Sequence, residues 1–441
     1  MIDRLARFRD GSGHTAVDPL VLAGPVPGVD LHSVGLLMAP PALSGEFMPV
    51  SMWRGIERLD PEPVIPSLRP DGLRAAFTEA VREMTATAQV IGVKVSGGLD
   101  SLATLVHACD VAEGRRVVAF AIDMTDDQGG SSVTEVQRLM RALNLNAELV
   151  VLSPEHDRAE PQWSPIGPRF DGMPEVNAAA AERAAALGVD VLLSGDGSDE
   201  LLGVPRYATG AVAARHGIRA AMRYSRDAAR GGPGLFGEAA ALVSRFLPAR
   251  ARAQTYWAMN WPEWSSPVAT AVLAEPYRTE ATKWARAWVR EQIVEHAVAH
   301  RTWVEADAFD ALYPYTPMPP AGDIPEGSPF LHPSFLAAAL ALPLADRYRS
   351  DLPSAYWRYK AQVIDLLPGA MAKLPPRKQY FTSALARQAA TLDTSKQLLV
   401  SEVGLVDPDQ LAREKDTGVL LYVAAIERWL AGAVRCGAQI L

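Results

Sequence analysis

The sequence predicts an α/β protein: a parallel sheet with helices on both faces, joined to a mostly helical C-terminal lobe. Three observations carry this. Between about residues 72 and 207, apolar runs of strand length alternate with amphipathic segments of helical period, the pattern of a parallel sheet with right-handed crossovers. Two of those runs end in Ser-Gly turns, at the strand ends where such sheets bind their ligands. Beyond about residue 208 the chain is Ala-rich, carries Trp and has few β-branched runs, which reads as helix.

The elements follow in order. Residues 1–71 form a short N-terminal segment in which Pro25, Pro27, Pro40, Pro41 and Pro61 break any long helix, so it is irregular or short-stranded. Leu73, Ala76, Phe77, Ala80 and Val81 recur at helical spacing. Val90 to Val95 is a strand, followed by a helix through Leu102, Leu105 and Val106. Val117 to Ile122 precedes a helix near 133–143, and Ala147 to Leu152 precedes one over roughly 174–187. Val189 to Leu193 closes the series, so residues 72–207 form one α/β unit. Residues 208–441 form the helical lobe, interrupted by a proline-rich irregular connection from Pro314 to Pro329.

At 441 residues the chain is long enough for two or three domains of about 100–200 residues each. A net charge of −8 disfavours a protein that coats nucleic acid. No run of 18 apolar residues predicts a membrane span, and no apolar stretch follows the charged N-terminus as a secretory signal requires. The expectation is a cytoplasmic protein with neither nucleic-acid nor membrane partners. Cys109 and Cys436 cannot form a disulfide scaffold or a Cys-x-x-Cys site.

Two turns carry the chemistry. Ser96-Gly97-Gly98-Leu99-Asp100-Ser101 follows a strand and opens a helix. Its glycines let backbone approach an anion, the helix end supplies unpaired N–H groups, Ser96 and Ser101 add hydroxyls, and Asp100 can hold magnesium. Ser194-Gly195-Asp196-Gly197-Ser198-Asp199-Glu200 places three carboxylates in seven residues at another strand end. Such a turn suits a hard cation held together with phosphate oxygens. The bland alternatives are a capped glycine turn and an ordinary acidic helix start. The two loops side by side count against both.

Together these residues resemble the synthetase domain of the class B asparagine synthetase family, within the PP-loop ATP pyrophosphatases of adenine nucleotide alpha hydrolase-like fold. The resemblance covers about residues 52–385. It begins at Trp53-Arg54-Gly55-Ile56-Glu57-Arg58-Leu59 and runs through both loops and Pro329-Phe330-Leu331. It ends at Arg377-Lys378-Gln379-Tyr380-Phe381, similar to the family's Arg-x-Lys-x-x-Phe element. The resemblance implies that Ser96, Gly97, Gly98, Asp100 and Ser101 grip the pyrophosphate of ATP, and that Asp100 and Asp199 ligate Mg²⁺. Lys94 and Ile122 would meet the adenine through backbone groups, with Ser194 and Gly195 also lining the nucleotide. Asp196 would occupy the acidic position linked to forming the acyl-adenylate. Lys378, on a catalytic loop at 370–385, would reach back and stabilise the charge that accumulates during adenylation. Residues 1–71 would be a vestige of the family's glutaminase region.

Several positions depart from the family. Ile2 stands where its glutamine-hydrolysing members carry a nucleophilic cysteine, so nitrogen is expected from elsewhere. The stretch from Leu201 to Tyr207 lacks the family's Gly-Gly-Tyr, Gly327 replaces an arginine and His332 an aspartate. These changes fall where the family meets its acceptor, which puts aspartate in question as substrate. Asp196 replaces the tyrosine of related β-lactam synthetases, and Glu326 and Asp323 are possible auxiliary acids.

Weaker signals lie outside the loops. Arg215, Arg219, Arg223, Arg226 and Arg230 recur at spacings of four, four, three and four, forming a single stripe if they share one helix. The stripe is either a solvated face or a dock for an acidic partner, such as a carrier protein. His296 and His300 sit four apart, but with Ala297 between them and no third ligand they read as structural rather than zinc-binding.

The expected function is an ATP- and Mg²⁺-dependent ligase. It would adenylate a small-molecule or peptidic carboxylate and pass it to ammonia or an amine, in specialised biosynthesis. An ammonia-dependent asparagine synthetase and a lasso-peptide cyclase share that chemistry. A PP-loop tRNA-modifying enzyme and an inactive nucleotide-binding scaffold are rivals from other classes.

Overall fold

The computed structural model describes residues 7–40, 50–59, 72–231, 234–260, 267–312, 321–369 and 373–440. Near the N-terminus are β1 (Arg7–Asp10), β2 (Thr15–Ala16), β3 (Gly28–Val29) and β4 (Ile56–Leu59), with the 3-10 turn Pro19–Val21 and the short helix Leu31–Leu36. The antiparallel set β2-β1-β4 is a small sheet of its own.

The central sheet contains β5 (Val90–Lys94), β6 (Arg116–Ile122), β7 (Glu148–Leu152), β8 (Val191–Leu193) and β9 (Glu326–Gly327). Their order is β7-β6-β5-β8-β9, and every neighbouring pair is parallel. Side chains alternate across each strand, and both faces are buried. Ile91, Val93, Val117, Ala119 and Leu193 enter one core, against the helices Gly72–Met84 and Leu99–Val111. Val118, Phe120, Leu152 and Leu192 enter the other, against the helix Pro174–Ala186. Covering both faces is the usual requirement of a parallel sheet, and it explains why these strands read as continuous apolar runs. The strand order reverses between β5 and β8. Their carboxyl-end loops therefore diverge and leave a crevice, the place where open α/β sheets bind ligands.

β9 lies inside the stretch expected to be irregular. It is only two residues long among prolines, too short to show a period-two signal, and it pairs with Leu192 and Leu193. Residues 313–320 of that connection fall outside the described residues, as do residues 370–372 of the expected catalytic loop. β8 begins at Val191 rather than Val189, because the Asp190 carboxylate accepts hydrogen bonds from the Gln89 and Val90 amides, at 2.7 and 2.9 Å.

Apart from β9 and a two-residue strand at the C-terminal end, the regular elements described from Thr209 onward are helices, as expected. The five arginines do not share one helix. The backbone turns at Gly217 (φ 84°), which splits Thr209–His216 from Ile218–Gly231 and leaves Arg215 on the first, paired with Asp346 at 2.9 Å. His296 and His300 are also separated. The helix Tyr277–Val298 ends before His300, whose φ is +53°, and buried His296 lies 3.0 Å from Asp310.

The N-terminal residues pack chiefly on the far end of the chain. Val29, Leu31, Val34 and Trp53 share a core with Leu273, Leu405 and the helix Thr417–Arg435. β10 (Gln439–Ile440) pairs in parallel with β3. Thr417–Arg435 is, among the described residues, the one helix long and apolar enough to cross a membrane, but its Val423, Ile426, Trp429 and Leu430 are buried in that core.

Candidate active site

Both loops lie at the crevice. The Val95 amide continues the sheet by donating to the Phe120 carbonyl at 2.8 Å, and the chain then turns through Ser96-Gly97-Gly98 into the helix Leu99–Val111. Gly97 has φ +80°, a backbone conformation that favours glycine, and the Gln379 side-chain oxygen closes over it, 3.0 Å from where a Cβ would stand. Ser101 is buried, and its hydroxyl accepts from the Ser96 amide at 3.1 Å. It braces the loop from within, while Ser96 and the glycines form its rim.

The second loop is fastened to the first. Thr104, one turn into the helix, donates to the Ser194 carbonyl at 3.1 Å. Gly195 lies so close to the Asp100–Ser101 backbone that a Cβ would sit 2.7 Å from the Ser101 nitrogen. Ser198 donates to Asp100, and Ser328, just past β9, donates to the Asp196 carbonyl at 2.6 Å. Asp196 is exposed, with one carboxylate oxygen held by Ser194 at 2.7 Å.

The two carboxylates assigned to magnesium meet at one ammonium. Lys360, between the short helices Ala355–Tyr359 and Ala361–Leu366, lies 2.6 and 2.7 Å from the two oxygens of Asp100 and 2.6 Å from Asp199. Its side chain is 7% exposed. Burial works against its charge, but Asp100 and then Asp199 outweigh that and hold its pKa above the ordinary lysine value. Lys378 reaches the same Asp199 at 3.2 Å. Burial raises the Asp199 pKa, but Lys360 and then Lys378 leave it below the usual carboxylate range. Burial keeps neighbouring Glu200 above its usual value. Two converging carboxylates fit a magnesium ion, which takes one or two from the protein and fills its shell with phosphate oxygens and water.

Lys378 is held by side chains that alternate along its loop. Arg377 donates to Asp126 at 2.7 Å and Gln379 does so at 3.2 Å, while Lys378 between them points to Asp199. The Asp127 amide donates to the Tyr380 carbonyl at 2.8 Å, and the Asp127 carboxylate accepts from the Thr382 and Ser383 amides. The loop after β6 thus clamps the loop that carries Lys378 over the first glycine turn.

Asp126 is 4% exposed, and hydrogen bonding from the Gly130 amide, with those of Gln128, Arg377 and Gln379, brings its pKa down to about 2. Because that lies below the ordinary 3.8, the clamp draws stability from this ionisation above about pH 4 and loses it as pH falls through about 2. Amide-exchange protection at Gln128 and Gly130 should therefore persist at pH 4 and fall steeply towards pH 2. Equal protection at both would contradict this.

The other expected residues are placed as follows. Lys94 ends β5, and its ammonium pairs with Glu326 at 2.8 Å. The Ile122 carbonyl, at the end of β6, accepts the Ser132 hydroxyl at 2.7 Å. Asp323 accepts from Gln162 at 2.7 Å. Gly327 faces Met84 of the helix Gly72–Met84, and buried His332 lies 3.4 Å from Glu83. Both substitutions thus face that helix. Cys109 is half-buried behind the first loop and Cys436 is exposed near the C-terminus. Among the described residues no group of three or more His, Cys, Asp or Glu forms a metal cluster.

Sequence reasoning missed Lys360, Thr104, Ser198 and the pair Asp126 and Asp127. Lys360 is a lone lysine ahead of an apolar helix, and no spacing marks it. Asp126 and Asp127 sit among Asp123, Gln128 and two glycines after a strand, and read as an ordinary turn.

No curated protein matches the chain. A family model described as asparagine synthase matches residues 72–432, from the helix before β5 almost to the end of the last helix. That span takes in both loops, Lys360 and the clamped Lys378, and the chain belongs to the asparagine synthase family.

Proposed function

We propose that the protein is an ATP- and Mg²⁺-dependent ligase that activates a carboxylate as an acyl-adenylate, releases pyrophosphate, and passes the acyl group to ammonia or an amine with release of AMP. The family supports an ATP-dependent ligase in general. The observation that supports the finer reading is the convergence of Asp100, Asp199, Lys360 and Lys378 where the two loops meet.

In the first step a substrate carboxylate oxygen attacks the α-phosphorus of ATP, and the bond from that phosphorus to the pyrophosphate oxygen breaks. Charge builds on the departing pyrophosphate. Lys378, exposed and 3.2 Å from Asp199, can turn to that charge, and Lys360, whose three N–H groups are held by Asp100 and Asp199, adds a fixed positive charge beside it. The glycine turn offers backbone N–H groups to the same phosphates. Magnesium, held by Asp100 and Asp199, would supply further charge neutralisation when bound. In the second step the amine nitrogen attacks the acyl carbon, loses a proton and displaces AMP. Asp196 is the exposed carboxylate in the acidic position associated with the adenylate.

Gly327 and His332 face the helix Gly72–Met84 and bear on packing there, so the departure at Leu201–Tyr207 is what favours an acceptor or acid other than those of asparagine synthesis, in keeping with a role in specialised biosynthesis. Pyrophosphate release across a panel of carboxylic acids, with and without amines, tests the reading. At least one acid should give release that falls at least 100-fold in Asp100→Asn. If no acid supports Asp100-dependent release, the reading fails.

A further inference from the structure

Away from the crevice, the helices Ile218–Gly231 and Gly234–Ser244 pack against each other and present an unusual outer surface. Between Thr209 and Arg252 the sequence contains eight arginines and only two carboxylates, in a chain of net charge −8. Both carboxylates are buried and engaged. Asp227 binds Arg358 through both oxygens, and Glu238 accepts from the Tyr207 and Thr209 amides. Asp227 feels the charge of Arg223, but with Arg358 on both its oxygens it offsets that charge only in part.

Arg219, Arg223, Arg226 and Arg230 lie exposed on one face of the first helix, spaced four, three and four. Among the described residues none of the four forms an ion pair. Ala221, Tyr224 and Ala228 occupy the opposite, buried face. On the second helix the exposed face is apolar: Phe236 is 76% and Val243 65% exposed, with Ala239 between them at spacings of three and four. Phe246, in the turn that follows, is 84% exposed. Met222 and Ile218 extend the apolar surface on the first helix, at 61% and 69%.

Single exposed apolar residues are ordinary, but two phenylalanines this open on and just after a helix packed against an arginine-bearing one are not. Like charges at three- and four-residue spacing repel one another, so the row costs the isolated protein stability. A carboxylate-bearing partner would relieve it. The arginine row spans about 16 Å at 1.5 Å per residue, close to three helical turns. That geometry suits a helix lying along the surface, with apolar anchors against Phe236 and Val243 and acids along one flank.

We propose that this two-helix surface is the docking site for an acidic amphipathic helix of a partner protein. Arginine forks pair with carboxylates and fix its register, and the exposed phenylalanines supply its apolar contact. The underside of the dock reaches towards the crevice: Asp227 holds Arg358, two residues before Lys360. A partner seated here therefore binds on the element whose buried face supports the segment carrying Lys360.

The probe is a fluorescent synthetic helix with leucines spaced three and four apart and glutamates on one flank, titrated by anisotropy into the full chain. Binding should weaken with salt, and at least tenfold in Arg219→Glu/Arg223→Glu. A lysine-flanked version of the same helix should prefer that variant over the wild type. Phe236→Ser/Phe246→Ser should weaken both, with ATP-dependent pyrophosphate release unchanged and a cooperative melting transition retained in every variant. Affinity indifferent to the charge reversal or to the phenylalanine substitutions would overturn the proposal. So would tighter capture by anionic phospholipid vesicles than by the peptide, or concentration-dependent dimerisation through this face.

Discussion

Lys360→Met is expected to reduce pyrophosphate release at least 1,000-fold. The ammonium is the shared partner of Asp100 and Asp199, and its removal leaves two neighbouring carboxylates repelling each other where the two loops meet. Losing one positioned charge at a developing oxyanion typically costs ~10²–10³ in rate. The added repulsion accounts for the larger figure here. Breaking a buried pair usually costs about 3–5 kcal/mol of stability. Asp199 is half-exposed and keeps Lys378, so the cost here should fall at the low end of that range. Steady-state rates below the variant's own melting transition measure the effect. A variant that stays folded and keeps even a tenth of the wild-type rate would refute the assignment.

The second large effect is expected from a residue that need not touch substrate. Asp126→Ala should lower kcat about 100-fold while changing the KM for ATP by less than about threefold. Asp126 fixes Arg377 and Gln379 on either side of Lys378, so its loss frees the ammonium to swing without altering the glycine turn proposed to grip the nucleotide. Misplacing a catalytic group by about 1 Å can cost 10²-fold. Asp126→Asn, which can still accept a hydrogen bond from Arg377, should recover part of the rate. A change confined to KM, or a rate unchanged in Asp126→Ala, would show that the clamp does not set the position of Lys378.

The two glycine turns and the parallel sheet were legible in the sequence because each depends on neighbours along the chain. A strand's apolar run, a turn's glycines and a helix's period are local patterns. Asp100 and Asp199 could be read because they sit in such turns. Lys360 could not, since it enters the site from 260 residues beyond Asp100, and only the packing of Ala361, Val363 and Ile364 into the sheet's core brings it there. The Asp126 clamp was hidden for the same reason: its partners lie 251 and 253 residues away. β9 escaped notice because two residues among prolines carry no period. The arginine stripe shows the opposite failure. Its spacing continued through Gly217 although the helix did not, and a glycine inside a regular pattern was the available sign of the break.

The central claim is that the crevice makes an acyl-adenylate. It is tested most directly by tracing oxygen from substrate to nucleotide. An acid that supports pyrophosphate release, labelled with ¹⁸O in its carboxylate, is incubated with ATP, magnesium, an amine and the wild-type protein. Amide formation through an adenylate must leave one carboxylate oxygen on the phosphate of AMP, so the predicted result is one ¹⁸O per AMP released. Unlabelled AMP, or ADP and inorganic phosphate in its place, would contradict it.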